Sequence, residues 1–275
     1  LGDVYKRQVL SLLLTFCLLS TCFGFSAAFA VEDAGQTENG EAVGALLAFP
    51  GAEGGGRYTK GARGALDVGG SIEVYHVTNL NSDGPGSFTE AVKADVQEVD
   101  GEGNVIEKPP VGRIVVFDVG GIINYPTGQK IDRDYITILG QTAPGDGITL
   151  TGGDLQIGNA RQNVIIRYLR VRPTNNTGAE VDGIGGQWNK DVIIDHCSTS
   201  WSVDESLTLY AGSVENSSGY EQGSRLTVQN TISSESLRMS GHFKGAHGYG
   251  GILGGTNATY LSLIHISEPT RHAQI

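Results

Sequence analysis

Five carboxylates fall in one short window of this sequence: Glu180, Asp182, Asp195, Asp204 and Glu205. Glu180 and Asp182 sit in a turn before an apolar run, Asp195 lies on that run, and Asp204 and Glu205 open the next one. If one coil of chain separates the turn at Asp182 from the turn at Asp204, these groups stack on one side. Clustered carboxylates along a groove suit a hard cation such as calcium, which takes several oxygen ligands. The competing reading is a solvated acidic face. A second cluster is basic, with His242, Lys244 and His247 in the glycine-rich run from Ser240 to Leu253. Glycine lets a ligand approach the backbone closely, and cations beside a calcium site suit an anionic sugar. Here the competing reading is a loop with scattered charges. His242 and His247 lack an HExxH-type spacing for metal binding. Asp195 and His196 alternate, so one of them faces inward, and His196 is expected as a satisfied core residue.

The elements that must position these groups are strands. Ile114 to Phe117, Tyr135 to Ile138, Asn163 to Ile166, Asp191 to Ile194 and Arg225 to Val228 each read as a short strand followed by a polar, glycine-rich turn. The second, third and fourth recur at 28-residue intervals and the fifth follows after 34. Shorter strands fit at Ile148 to Leu150, Leu155 to Ile157 and Leu207 to Leu209. No helix-period segment lies between them, so βαβ units are excluded. Strands at coil spacing without crossover helices point to an all-β parallel β-helix, with a β-sandwich as the alternative. Ile72 to Val77 reads as a further strand, and Ser87-Phe88-Thr89-Glu90 as a capping box opening a short helix through Ala94. That helix is expected to cap the N-terminal end of the stack. Residues 95–111 form a charged excursion, expected as an exposed hairpin or loop. The stretch Gly51 to Gly64 is too rich in glycine for a helix interior. It resembles a phosphate-cradling loop only superficially, because no GxxxxGK[ST] pattern accompanies it.

Composition narrows the function classes. The chain has 275 residues and is 39% hydrophobic, enough for a packed core. Its net charge of −11 argues against nucleic-acid binding, which needs basic surface. Val9 to Leu19 and Ala28-Phe29-Ala30 read as the apolar region and cleavage site of a secretory signal peptide cut after Ala30, too short to span a membrane. Cleavage leaves a single thiol, Cys197, expected as a small core residue. Asp3 to Gln8 reads as the translation of a sequencing-library adapter, and Leu261 to Arg271 as the same adapter family in the opposite orientation. The expected organisation is therefore adapter-derived residues 1–8, a signal peptide over 9–30, a linker over 31–46, an incomplete β-helix domain over 47–260 and adapter-derived residues 261–275.

Several long runs, in order, resemble the family 1 polysaccharide lyases, the pectate lyases. They are Ala48 to Gly54, Val77 to Asn81 with Gly86-Ser87-Phe88, Ile138 to Ile148, Ile193 to Ser198 with Trp201 and Asp204-Glu205, and Lys244 to Gly251. The resemblance implies a right-handed parallel β-helix; the signal peptide implies secretion, and a monomer is expected. The resemblance also implies calcium-assisted β-elimination on polygalacturonate or a related acidic polysaccharide, with no membrane attachment after signal cleavage. In that mechanism calcium bridges protein carboxylates and the substrate carboxylate, the adjacent C5 proton becomes acidic, and the C4 glycosidic oxygen leaves without water. The resemblance places calcium ligands at Asp182 and Asp204, with Glu180 and Glu205 as weaker candidates, and a substrate contact at Lys244; His242, in the same basic cluster, is expected to contact substrate as well. The family's base is an arginine on a later coil, expected beyond Tyr260, so no residue here is assigned to that role and the chain as written is expected to be inactive. Thr208 stands where many members carry a further acid. The alternatives are a hydrolase on the same fold, which needs paired carboxylates at acid-base spacing, and a non-catalytic carbohydrate-binding β-helix.

Overall fold

The computed structural model describes residues 45–174, 180–210 and 223–266. Its strands, numbered in chain order, build three sheets with parallel pairing throughout. The seven-stranded sheet holds β1 (Ser71–Val77), β2 (Val111–Phe117), β5 (Ile136–Leu139), β8 (Gln162–Arg167), β11 (Lys190–Asp195), β14 (Ser224–Gln229) and β17 (Thr256–Leu261). The six-stranded sheet holds β3 (Gly121–Asn124), β6 (Ile148–Thr151), β9 (Leu169–Arg172), β12 (Ser198–Ser200), β15 (Ile232–Ser234) and β18 (Ile264–Ile266). The five-stranded sheet holds β4 (Gln129–Ile131), β7 (Leu155–Ile157), β10 (Ile184–Gln187), β13 (Glu205–Tyr210) and β16 (Tyr249–Leu253). The chain visits the seven-, six- and five-stranded sheets in turn and then climbs one coil. This is a parallel β-helix, as the recurrence of strands predicts.

Like residues stack on like residues inside it. Ile136, Val164, Val192 and Leu226 pair from coil to coil, and so do Ile138, Ile166, Ile194 and Val228. All are fully buried. Branched aliphatic side chains suit such a pleated interior, and each contributes about 1.5–3 kcal/mol on leaving water. The corners are made by residues in the left-handed backbone region. Tyr168, His196 and Asn230 have φ of 56°, 52° and 50°. Each donates its N–H to the next coil, to the carbonyls of Asp195, Gln229 and Leu261 at 3.1, 3.3 and 3.1 Å. That bond offsets a conformational cost of roughly 1–2 kcal/mol for a residue with a Cβ.

The corner corrects the expectation for His196. Alternation along β11 ends at Asp195, whose side chain is fully buried, and the positive φ at the next residue turns the His196 side chain outward to 43% exposure. Burial raises the Asp195 pKa, but hydrogen bonds from His196, Gln229, Arg167 and Asn230 outweigh it and hold the carboxyl below the ordinary range.

The glycine-rich N-terminal stretch crosses the outside of the seven-stranded sheet as a strap. The amide N–H groups of Gly55, Gly56 and Ala62 donate to the hydroxyls of Thr259, Thr227 and Thr137 at 3.1, 2.8 and 3.0 Å. Thr227 in turn donates to the Glu53 carbonyl. A Cβ on Gly55 would lie 1.8 Å from the Asn257 carbonyl oxygen, so contact this close requires glycine there. Contrary to the expectation of no helix, Gly61–Val68 forms a 3-10 helix that buries Ala62 and Ala65. Glycine's helix penalty is outweighed because a bare backbone lets this turn sit directly on the sheet.

The capping helix α1 spans Phe88–Val92, and Ser87 Oγ accepts the Glu90 N–H. Only half of the capping box forms, since the Ser87 N–H goes to the Gly84 carbonyl and the Glu90 carboxylate pairs with Lys93. Phe88 is buried against Phe117, and Val92 accepts from the Asp132 N–H, so the helix covers the first coil. The charged excursion carries an antiparallel bridge between Val99 and Val105, as a hairpin would. No helix among the described residues is long and apolar enough to cross a membrane. The expected signal peptide lies outside the described residues.

Candidate functional site

The carboxylates gather at the corner between the six- and five-stranded sheets. Val181 accepts the N–H groups of both Val203 and Asp204, at 3.0 and 3.1 Å, which ties the turn before β10 to the turn before β13. Pairing of Ile184 with Leu207 brings Asp182 and Glu205 into line one coil apart. Only glycine fits between them and β12, because a Cβ on Gly183 would lie 1.8 Å from Thr199 Oγ1. Asp182, Asp204 and Glu205 each present an oxygen within 4.8 Å of the others.

Such crowding has a cost that shows in the protonation. Burial, then the charge of Asp204, raises the Asp182 carboxyl to about 6, with the Thr208 hydroxyl opposing. Burial raises Glu205 to about 8, reinforced by its hydrogen bond with Asp204 and the charges around it. Asp154, one coil before Asp182, is also raised, first by burial. Among the described residues no lysine or arginine pairs with Asp182 or Glu205. The donor set is therefore all oxygen, and it fits a hard divalent cation that would displace the carboxyl protons. Asp182, Asp204 and Glu205 could hold such a cation, with the Thr208 hydroxyl alongside.

Two histidines back this group. The His242 ring is buried, and its Nδ1 accepts the Lys244 backbone N–H at 3.1 Å. The ring proton therefore resides on Nε2, which donates to Asp204 Oδ2 at 3.3 Å. His247 Nε2 lies 3.0 Å from Asp204 Oδ1, and the two imidazoles stack at 3.9 Å. A soft-metal site is disfavoured, because a metal on His242 Nε2 would move the proton to Nδ1 and against the Lys244 N–H.

The structure thus brings Asp182, Asp204 and Glu205 together. Glu180 is set apart, 3.8 Å from His242. His242 turns to Asp204, whereas Lys244 is exposed, its Nζ 5.3 Å from the centre of the Phe243 ring. Asp195 lies at a different corner, within the buried network around Arg167. Asp154 is the acidic neighbour that sequence reasoning missed. Its signal was present, since it precedes Asp182 by the same 28 residues that separate the strands.

No family model matches the chain. Curated relatives do. Probable pectate lyase C of Emericella nidulans is 37% identical over 232 residues, covering 84% of this chain and 45% of the relative. The protein of the same name from Aspergillus flavus is 35% identical over the same span. That from Aspergillus fumigatus is 34% identical over 236 residues. By sequence, this chain is a relative of the pectate lyases. It spans about half the length of these relatives. Among solved structures, the cedar pollen allergen Jun a 1 aligns with 66% of this chain and 49% of its own, at a TM-score of 0.45 and 18% identity.

Proposed function

We propose that this chain holds the cation- and substrate-binding face of a secreted polysaccharide lyase that cleaves polygalacturonate by calcium-assisted β-elimination. The observation that carries the reading is the convergence of Asp182, Asp204 and Glu205, with no lysine or arginine on Asp182 or Glu205 among the described residues, in a relative of proteins named pectate lyase. A strongly acidic site repels a polyanion unless a cation joins them. Calcium, when held by Asp182, Asp204 and Glu205, would offset that charge and would make the sugar C5–H beside a neutralised carboxylate more acidic. The chain's own residues set the geometry. Val181 pins the two acidic turns to each other, and His242 holds Oδ2 of Asp204 while its buried Oδ1 has no hydrogen-bond partner among the described residues. Thr208 offers a hydroxyl where a charge would add to the repulsion. Lys244, exposed beside the cluster on the loop before β16, is placed to meet a substrate carboxylate. We assign no base within residues 47–260.

The test is product chemistry on polygalacturonate, using the source gene read through past Tyr260. The reading expects unsaturated, ultraviolet-absorbing ends that disappear on calcium chelation, and an Asp204→Ala variant whose loss excess calcium partly restores. Saturated reducing ends would overturn it in favour of a hydrolase, and binding without products in favour of a carbohydrate-binding module.

A further inference from the structure

A cleft of about 430 Å³ opens at the corner between the seven- and six-stranded sheets, a different corner from that of the carboxylate cluster. Its volume suits a small ligand. The column of corner residues forms its back, with Gly140, Tyr168, His196 and Asn230 following one another coil by coil. The rings of Tyr168 and His196 stack at 4.7 Å with only 16° between their planes. Arg167, 5.2 Å from the centre of the Tyr168 ring, reaches toward the same side, because it pairs with Asp195 in the coil of His196.

The other side of the Tyr168 ring meets the column position held by Gly140, which has no side chain to lay on it. A Cβ on Gly140 would lie 2.3 Å from the Tyr168 carbonyl oxygen, so the backbone itself keeps that position bare. Tyr168 is 39% exposed and Arg170, two residues further along, stands outward at the rim. One guanidinium nitrogen of Arg170 donates to the Asp146 carbonyl, which anchors the group and leaves its remaining donors facing solvent.

We infer that this cleft is a second saccharide site, binding one pyranose ring of an acidic oligosaccharide with the ring on Tyr168 and its carboxylate on Arg170. An aromatic face is electron-rich and takes the C–H face of a sugar. A guanidinium fork matches a carboxylate. Asp146 and Gln141 at the rim accept and donate to hydroxyls. The choice of an acidic sugar rests on the function proposed above. The site holds polymer and takes no part in its cleavage, raising the effective concentration of substrate at the acidic corner.

Calorimetric titration of tetragalacturonate into this chain, in excess chelator, tests the site apart from the calcium-bridged one. Saturable binding is expected, retained in Asp204→Ala and weakened about tenfold or more in both Tyr168→Ala and Arg170→Gln. Arg170→Gln replaces an exposed side chain, so it decides the matter if Tyr168→Ala fails to fold. Absence of saturable binding under chelation, or binding that Arg170→Gln leaves unchanged, overturns the inference. Unsaturated products without chelator-resistant binding would remove this site and keep the lyase reading. Chelator-resistant binding at Arg170 without such products would do the reverse.

Discussion

Asp182 and Glu205 face each other one coil apart, and each holds its proton more tightly first because it is buried and next because Asp204 lies beside it. Three carboxyls gathered in a partly buried corner at the expense of their ionisation form an arrangement that a bound cation would relieve.

Its consequence for stability has a definite sign. Folding raises Asp182 from 3.8 to about 6 and Glu205 from 4.5 to about 8. The folded chain then binds more protons than the unfolded one, so these two groups lower stability as pH rises. The penalty is absent below the unfolded values and complete above about 8. In chelator, the melting temperature is expected to fall between those limits, and a flat or rising profile would contradict the coupling. At neutral pH calcium binding is expected to release protons, measurable by calorimetry in buffers of different ionisation enthalpy.

His242 orients Asp204 from behind. Replacing it by Phe preserves a stacked ring and removes the Nε2 donor. Calcium affinity is expected to drop about tenfold, within the range for losing a ligand's supporting hydrogen bond. Titration of calcium into the variant checks this, and an unchanged affinity would show that His247 alone suffices.

Thr227 binds the strap twice, accepting from Gly56 and donating to Glu53. Thr227→Val retains the shape and leaves both backbone groups without their partner. A destabilisation of about 1–3 kcal/mol is expected from urea unfolding midpoints, together with faster amide exchange at Gly56.

Burial pushes the Cys197 thiol up to about 12. A thiolate is what reacts with alkylating reagents, so labelling is expected only after unfolding. Rapid labelling of the native protein would place Cys197 outside the core.

The strands that carry the core were legible because their residues repeat: Val164, Val192 and Leu226 announce both a strand and a spacing. Ser198–Ser200 and Ile232–Ser234 announce neither, being short and polar, and become strands only because neighbouring coils supply hydrogen-bond partners. The acidic corner was legible as a set of residues and illegible as a geometry. Nothing local distinguishes Glu205, which turns toward Asp182, from Glu180, which turns toward His242. The strap was misread for the same reason. Gly56 and the Thr227 that holds it are 171 residues apart, and glycine's purpose there is visible only once the sheet beneath it is known.

A stack of coils in which each touches only its neighbours behaves as a one-dimensional array, able to melt from its ends inward in small independent steps. The strap changes that behaviour. By bonding to Thr137, Thr227 and Thr259 on separate coils, it makes opening at one coil felt at others far along the axis. Unfolding thereby shifts from gradual erosion toward a single cooperative event, and the acidic corner and the Tyr168 corner stay in fixed register with each other until the whole stack gives way.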